Sequence, residues 1–405
     1  MAVPRLVVIT YREGLREAEG EWNLIHSRNL GLLSYGCQVT MFCVLPDPNR
    51  VPQHLLGKDY PIRIYARPTT LRARYGRRFA AQVVTDALAT NPDGVLVSAA
   101  PHRAGLFGHA LGRTRLVLDI HGSVRELVNY GPLGRRLVRF PVWGFSAWRW
   151  YRRFDAALVV TEYLAKECRF FAPGLRTFVV PCASIYQPEW SEVYEHRRTW
   201  RRRLGIGDSE VVLAHSGGLS AWQEPSPMVR MLKALLDRGA GARLLLATRK
   251  LDLAASLTAR LPESIRDRII ARKFENNLQC EVLAAADLGL LLRADNATNR
   301  AAFPNKVDEC WSVGLPVITT PGLRAVAELV RSCPEAGVVV HSADGALSDD
   351  EVQRVLGMVG LSELERRQRF DRIRVLRDDI SFAKTLKPFV SFLAEATPRA
   401  HFGGA

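Results

Sequence analysis

The sequence has no apolar run approaching the roughly 18 residues a membrane-spanning helix needs, so an integral helical membrane protein is excluded. Its first ten residues, MAVPRLVVIT, lack the charged, apolar and small-residue order of a signal peptide and read as a strand. The expected location is therefore the cytoplasm. The seven cysteines (Cys37, Cys43, Cys168, Cys182, Cys280, Cys310, Cys333) are scattered with no C-x-x-C pair, which argues against a zinc ribbon or a disulfide framework and for buried, reduced thiols. No internal repeat is present, so a solenoid is excluded. Nor does any acidic pair such as D-x-D stand in a metal-like setting, and no metal or other cofactor is expected.

What is abundant is positive charge. A formal net charge of +15 and a pI near 9.9 favour partners that carry phosphate: nucleotides, nucleic acid or an anionic membrane leaflet. The arginines are spread over the whole chain and line no single motif, which weighs against nucleic acid. At 405 residues the chain is long enough for two domains with separate cores. Short apolar strands at 5–10, 38–44, 62–66, 94–98, 115–120, 156–161 and 177–181 alternate with helical stretches, one near 77–90 and a Gly-rich one running to Gly112. A second series follows at 210–215, 243–248, 268–271, 288–292, 315–319 and 337–341. Strand-helix-strand succession with short breaks predicts parallel sheets covered by helices, joined by right-handed crossovers. The predicted organisation is a first domain at 1–188, a connection at 189–207 and a second domain at 208–380. A charged helical region at 350–377 belongs to the second domain. A closing amphipathic helix at 381–396 packs back on the first domain, and a disordered tail covers 397–405.

The most informative stretch is Gly289–Thr320, GLLLRADNATNRAAFPNKVDECWSVGLPVITT. It reads as a strand, a polar loop, a short helix over about 304–313 and a second strand. Pro304 suits the first helical turn, Gly314 the left-handed cap, and Pro316 a strand start. The helix N-terminus then faces the carboxyl ends of the sheet with Arg293, Asn299 and Lys306 nearby, a place to hold a diphosphate. Glu309 lies one turn after Lys306 and is suited to ribose hydroxyls. In the first half, the loop Tyr11–Glu21 follows the first strand at the edge where open α/β sheets bind ligands. The motif LDIHG places Asp119 and His121 at the same kind of edge. Residues 133–154 interleave six arginines with three tryptophans. Either the segment lies against an anionic membrane surface, or its tryptophans fill the core while its arginines face water. Pro141 is expected to break it in two.

FPNKVDECWSVGLPVITT resembles the P-x-K-x-x-E-x-x-x-x-G-x-P-V-I signature of bacterial family-four glycosyltransferases, in the subgroup that assembles cell-surface polysaccharides. LLLRADNATNR and HSGGLSAWQ are similar to two further blocks of that subgroup. VLDIHG, DAALVVTEYLAKE and VVPCAS resemble its N-terminal domain, so the likeness spans most of Leu116–Gly322. The resemblance implies a GT-B fold, that is, two Rossmann-like domains with parallel sheets facing a central cleft. It implies a nucleotide-sugar donor held mainly by the C-terminal domain, an acceptor held mainly by the N-terminal one, and transfer with retention. The acceptor it implies is a hydroxyl of a glycan or a lipid-linked glycan; peripheral contact with anionic membrane through 133–154 stays open beside the core reading of that segment. By position Glu309 matches the ribose-binding carboxylate, Lys306 and Arg293 face the diphosphate, and Gly217 and Gly218 let backbone approach it. Asn299 and Pro304 complete the donor side. His121 matches a histidine near the donor sugar, giving His121, Lys306 and Arg293 as the catalytic candidates. On the acceptor side the candidates are Gly14, Gly20, Glu21 and Glu126. Two departures stand out: the carboxylate usual eight residues before the ribose Glu is Ala301 here, and GGLSAWQEP carries none of the usual cations. They keep two alternatives open, a non-catalytic GT-B scaffold and a GT-B nucleotide-sugar epimerase or phosphorylase.

Overall fold

The computed structural model describes residues 3–11, 19–45, 47, 59–68, 77–99, 104–105, 107, 114–126, 133–219, 225–274, 278–341 and 346–395. The chain forms two compact units, 1–185 with 380–405 and 186–379.

The first unit is built on seven strands: β1 (Arg5–Tyr11), β2 (Gln38–Leu45), β3 (Ile62–Ala66), β4 (Gly94–Ser98), β5 (Arg115–Ile120), β6 (Ala156–Val159) and β7 (Arg176–Val179). They lie in the order β3-β2-β1-β4-β5-β6-β7, every described pair parallel. β1, β4 and β6 are buried along almost their whole length, as a sheet covered on both faces requires. Residues 380–395 return to this unit as two short helices, Phe382–Thr385 and Lys387–Ala394, where a single closing helix was expected. Gly31 makes that return close, because a Cβ there would lie 2.7 Å from the Phe382 Cβ. Phe389 and Phe392 pack on Phe178 at ring separations of 5.6 and 5.4 Å.

Two expectations for this unit are corrected. Pro141 does not break its segment: one helix runs from Leu133 to Tyr151 with the proline inside. Pro141 is exposed. The tryptophans also divide between the two readings, since Trp148 is 44% exposed while Trp150 lies half-buried, filling the space beside Gly105. Gly20 and Glu21 are helical and not in a loop, because the first helix already starts at Glu19. Gly14, most of the Gly-rich stretch before Gly112, and the tail lie outside the described residues.

The second unit carries β8 (Val211–Ser216), β9 (Ala242–Ala247), β10 (Ile269–Arg272), β11 (Leu288–Leu291), β12 (Val317–Thr319) and β13 (Gly337–Val339), in the order β10-β9-β8-β11-β12-β13 and again parallel. Its core joins Leu213, Leu244, Leu246, Leu288, Leu290 and Ile318 from the sheet with Met228, Met231 and Leu232 from the helix Pro225–Leu236. The 189–207 segment is a helix, Trp190–Leu204, tied by Arg197 and Arg201 to the carbonyls of Ala284, Ala285 and Ala286. The charged region at 350–377 divides into Asp349–Leu356 and Glu363–Asp379, the first opened by a Ser348–Glu351 capping box. β8 and β11 are neighbours from which the chain crosses over in opposite directions, so a crevice opens beyond their carboxyl ends.

Candidate functional site

That crevice is where the sequence brings Ser216, Gly217, Arg293 and Lys306. Leu292 ends the apolar run, and Arg293 turns away with its N–H donating to Thr320 Oγ1 at 3.0 Å while its carbonyl accepts from the same hydroxyl at 2.6 Å. Gly322 allows this contact, because a Cβ there would stand 2.6 Å from the carbonyl oxygens of Arg293 and Ala294. The expected polar loop contains a short helix, Ala297–Ala301, capped by the Asn296 side chain. Asn299 is buried and donates its side-chain amide to the Ala294 carbonyl at 2.9 Å, which fixes the loop. Ala301 is completely buried.

The next helix is Asn305–Ser312, with Pro304 as its N-cap in extended backbone (φ −70°, ψ 138°), one position before the first turn expected for it. Gly314 takes the left-handed conformation expected of it, φ 66°. Gly289 permits this helix to lie close on β11, since a Cβ there would meet Cys310 Sγ at 2.8 Å. Asp308 is clamped by Arg377 at 2.7 and 3.1 Å, which anchors the helix from behind.

Lys306 is the centre of the site. Its Nζ is shut off from solvent and makes no hydrogen bond among the described residues. It lies over Gly217, where an added Cβ would fall 2.6 Å from the lysine Cε, and Gly217 itself has φ +106°. Only glycine meets both demands. Burial, with Arg293 beside it, pushes the ammonium below its ordinary value, while Glu309 acts in the opposite direction. Burial likewise raises the Glu309 carboxyl, against the pull of Lys306 and a hydrogen bond from Ser216. Ser216 Oγ donates to Glu309 Oε2 at 3.1 Å and accepts from Gln279 Nε2, so a chain Gln279–Ser216–Glu309 aims the carboxylate. Beneath it His215 is fully buried, with Nε2 2.9 Å from the Gly218 carbonyl and Nδ1 3.3 Å from that of Leu290. Burial, then Lys306, lowers its pKa to about 3, so it stays neutral, with one ring nitrogen donating to one of these two carbonyls. His215, Ser216 and Gln279 were not among the predicted site residues. The first two lie in the HSGG block, and nothing in the sequence marks Gln279.

In the first unit His121 follows β5, its Nε2 2.8 Å from Asp119 Oδ1. Arg28, from the helix Glu19–Ser34, donates to the same oxygen and lies 3.5 Å from His121 Nε2. Burial raises the Asp119 carboxyl, but Arg28 and His121 outweigh it and hold the group well below the usual carboxylate range. Arg28 is a further residue absent from the predicted set. Glu126 is exposed, on the segment that follows His121, and Gly20 and Glu21 belong to the same helix as Arg28.

No family model matches the chain, and no curated protein matches it in sequence. Solved structures do match. The chain is similar to an E. coli trehalose-6-phosphate protein bound with UDP-2-fluoro glucose, with a TM-score of 0.64, 14% identity, and coverage of 98% of this chain and 100% of that one. It is similar to a glycosyltransferase from Rickettsia africae ESF-5 (TM-score 0.68, 11% identity, 97% and 100% covered). It is also similar to an α,α-trehalose-phosphate synthase (UDP-forming) from Burkholderia xenovorans in complex with glucose-6-phosphate (TM-score 0.62, 14% identity, 96% and 100% covered). The two parallel-sheet units and these full-length matches establish the GT-B fold.

Proposed function

We propose that this chain is a retaining glycosyltransferase of the family-four type that moves a sugar from a nucleoside-diphosphate sugar to a hydroxyl of a glycan or lipid-linked glycan in surface-polysaccharide or glycoconjugate assembly. The observation that carries the reading is the enclosed Lys306 Nζ, without a hydrogen bond among the described residues, beside Arg293 at the carboxyl edge of β8 and β11. An anion delivered there pairs with the Lys306 ammonium, and a diphosphate is the anion a sugar donor supplies. UDP-sugar binding by a neighbour of the same fold points the same way.

On this reading Glu309, aimed by Ser216 and Gln279, binds the ribose hydroxyls. Gly217 and Gly218 keep the backbone thin beside the phosphates. As the bond from the sugar to the diphosphate breaks, negative charge grows on the leaving oxygen, and Lys306, Arg293 and the start of the 305–312 helix stabilise it there. These cations take the part a metal plays elsewhere, so the proposal is metal-independent. The acceptor hydroxyl attacks from the leaving-group face, and a diphosphate oxygen takes its proton. Asp119 and Arg28 hold His121 in one orientation, in keeping with a contact to the donor sugar. The buried Ala301 leaves one customary carboxylate out of this scheme.

The test is a thermal-shift screen against nucleoside diphosphates and their sugars, followed by product analysis with and without glycan acceptors. One class of nucleoside diphosphate should raise the melting temperature, as ligand binding to the folded state requires. Transfer should need an acceptor. Donor binding with no transfer across the acceptor panel would favour a scaffold instead, and sugar conversion without acceptor an epimerase.

The location proposed is the cytoplasmic face of an anionic membrane. No helix among the described residues is long and apolar enough to cross a bilayer. On the helix Leu133–Tyr151, however, Val142, Phe145 and Trp148 are 55, 63 and 44% exposed at three-residue intervals, with the Arg152 guanidinium 4.7 Å over the Trp148 ring. Aromatic side chains flanked by arginine suit a headgroup layer, each cation contributing about 1 kcal/mol near an anionic surface. Co-sedimentation with vesicles containing phosphatidylserine should be lost in Phe145→Glu/Trp148→Glu; equal sedimentation of the variant and the parent would remove this surface from the proposal.

A further inference from the structure

The second unit has another cluster of charge, at the opposite edge of its sheet. Asp287 precedes β11 and Pro316 precedes β12, so both lie at the amino edge, whereas Ser216 and Arg293 lie at the carboxyl edge. A cavity of about 40 Å³ at the amino edge is lined by Arg197, Asp287, Arg366 and Arg369, with Trp190 and Tyr194 on its apolar wall. Four guanidiniums, those of Arg197, Arg201, Arg366 and Arg369, gather here around the buried carboxylate of Asp287.

That carboxylate is already saturated. Arg197 donates to Oδ1 at 2.7 Å, and Oδ2 accepts from the Val212 N–H at 2.9 Å and from Arg201 at 3.4 Å. Arg197 and Arg201 are further engaged by backbone carbonyls of 284–286 and 207–210, which accounts for their burial structurally. Arg366 and Arg369, from the helix Glu363–Asp379, are surplus. Arg369 is 9% exposed and has one side-chain hydrogen bond, to the Met358 carbonyl at 2.7 Å. Half-buried Arg366 has none among the described residues. The other carboxylates near them, Asp208 and Glu365, do not discharge them: neither pairs with Arg366 or Arg369, and exposed Glu365 is taken up by the N–H and hydroxyl of Ser362. Burial and mutual repulsion among the arginines lower the affinity of Arg369 for its proton, to a pKa of about 10, despite Asp287. Arg366 and Arg369 thus carry positive charge that no carboxylate pairs directly among the described residues.

We propose that this cavity is a second anion site, separate from the donor crevice, which takes a phosphate group, either as free inorganic phosphate or as the monoester of a sugar, on Arg366 and Arg369. Its size agrees: about 40 Å³ holds roughly three waters, which a tetrahedral phosphate displaces. The planar guanidinium forks match phosphate oxygens in pairs, and the Trp190 and Tyr194 wall is suited to a sugar ring but offers little to a bare ion.

The experiment titrates inorganic phosphate and a hexose 6-phosphate into the full chain by calorimetry, at ionic strength held constant with sodium chloride. The Lys306→Met variant serves as the reference, so that phosphate held by the donor crevice does not contribute. One phosphate per chain is expected in that reference, with affinity at least tenfold weaker when Arg366→Gln and Arg369→Gln are added. Tighter binding of the hexose phosphate assigns the sugar monoester, and equal binding the free anion. Should Arg369→Gln fail to fold, Arg366→Gln alone, which removes no side-chain hydrogen bond, should still weaken binding severalfold. Undiminished phosphate affinity in a folded Arg366→Gln chain overturns the proposal, as does absence of phosphate binding in the reference, at a site where chloride then serves as well. Both outcomes are independent of whether the Lys306 crevice binds a sugar donor.

Discussion

The carboxyl edges of the two sheets carry charge in opposite ways. In the first unit the Arg28 guanidinium and His121 converge on one carboxylate oxygen of Asp119, so the buried positive charge of Arg28 is closed by a carboxylate, although Asp119 Oδ2 and Arg28 Nε and Nη2 make no hydrogen bond among the described residues. In the second, Lys306 and Arg293 lie together, and the nearby Glu309 is hydrogen-bonded by Ser216 while the ammonium has no hydrogen bond among the described residues. The difference is one of charge pairing: a buried cation held directly by a carboxylate reads as a device for holding a side chain still, and one without such a partner as a seat for a ligand. The contrast predicts that the first edge fails by unfolding and the second by losing affinity.

The largest effect should come from breaking the closed set. Asp119→Asn leaves the Arg28 guanidinium buried beside a neutral amide, and removal of one partner of a buried pair costs about 3–5 kcal/mol. Chemical denaturation should show a loss of this size, and Arg28→Met/Asp119→Leu, which removes both charges, should recover much of it. A loss below about 1 kcal/mol in Asp119→Asn would mean that the pair is not a structural clamp. The open set should respond in reverse. Lys306→Met removes no hydrogen bond and relieves a cation held below its ordinary proton affinity, so the melting temperature at neutral pH should stay level or rise. Turnover should fall by about 10²–10³, the loss seen when one charge-stabilising group is removed from a reacting centre. Near-normal turnover in Lys306→Met would dismiss the lysine as the diphosphate's partner.

His215 separates the two edges by pH. Its folded pKa of about 3 lies below the 6.5 it has when unfolded, so below 6.5 the unfolded chain takes up a proton that the native chain refuses. The stability due to this group is complete above 6.5 and is lost as pH falls toward 3. Melting temperatures measured from pH 7 to 4 should fall more steeply in the parent than in His215→Gln. Parallel slopes would show that the imidazole is not held neutral by its burial under Lys306.

Much of this arrangement is legible in the chain because it is local. The apolar runs at 62–66, 94–98 and 115–120 are the observed strands, and Gly314 takes the left-handed turn that its place after a short helix requires. The stretch FPNKVDE brings Lys306 and Glu309 to one face because they are three residues apart on a helix. What is hidden depends on distance along the chain. Arg28 stands in HSRNLG as any surface arginine would, and it becomes a buried partner only because its helix meets β5, 91 residues later. Pro141 misleads because proline's cost in a helix depends on exposure, which a sequence does not state. The 297–301 helix does have a written signal, Asn296 three residues before Asn299, but five residues are too few for an apolar period to show.

Gln279 is the subtlest of the hidden residues and gives the smallest expected effect. It touches no predicted ligand: its amide donates to Ser216 Oγ, and the Ser216 hydroxyl donates a hydrogen bond to Glu309. Gln279→Ala leaves the serine free to rotate, so Glu309 loses orientation but keeps its charge and its place on the helix. A neutral hydrogen bond contributes about 1 kcal/mol, and a contact one step removed contributes less, so the donor's KM should rise about two- to fivefold with kcat unchanged. Ser216→Ala, which removes the bond to the carboxylate itself, should raise it more. If Gln279→Ala instead lowered kcat as strongly as Lys306→Met, the glutamine would belong with the groups that meet the developing charge, and the distinction between an open cationic set and the polar chain that positions Glu309 would not hold.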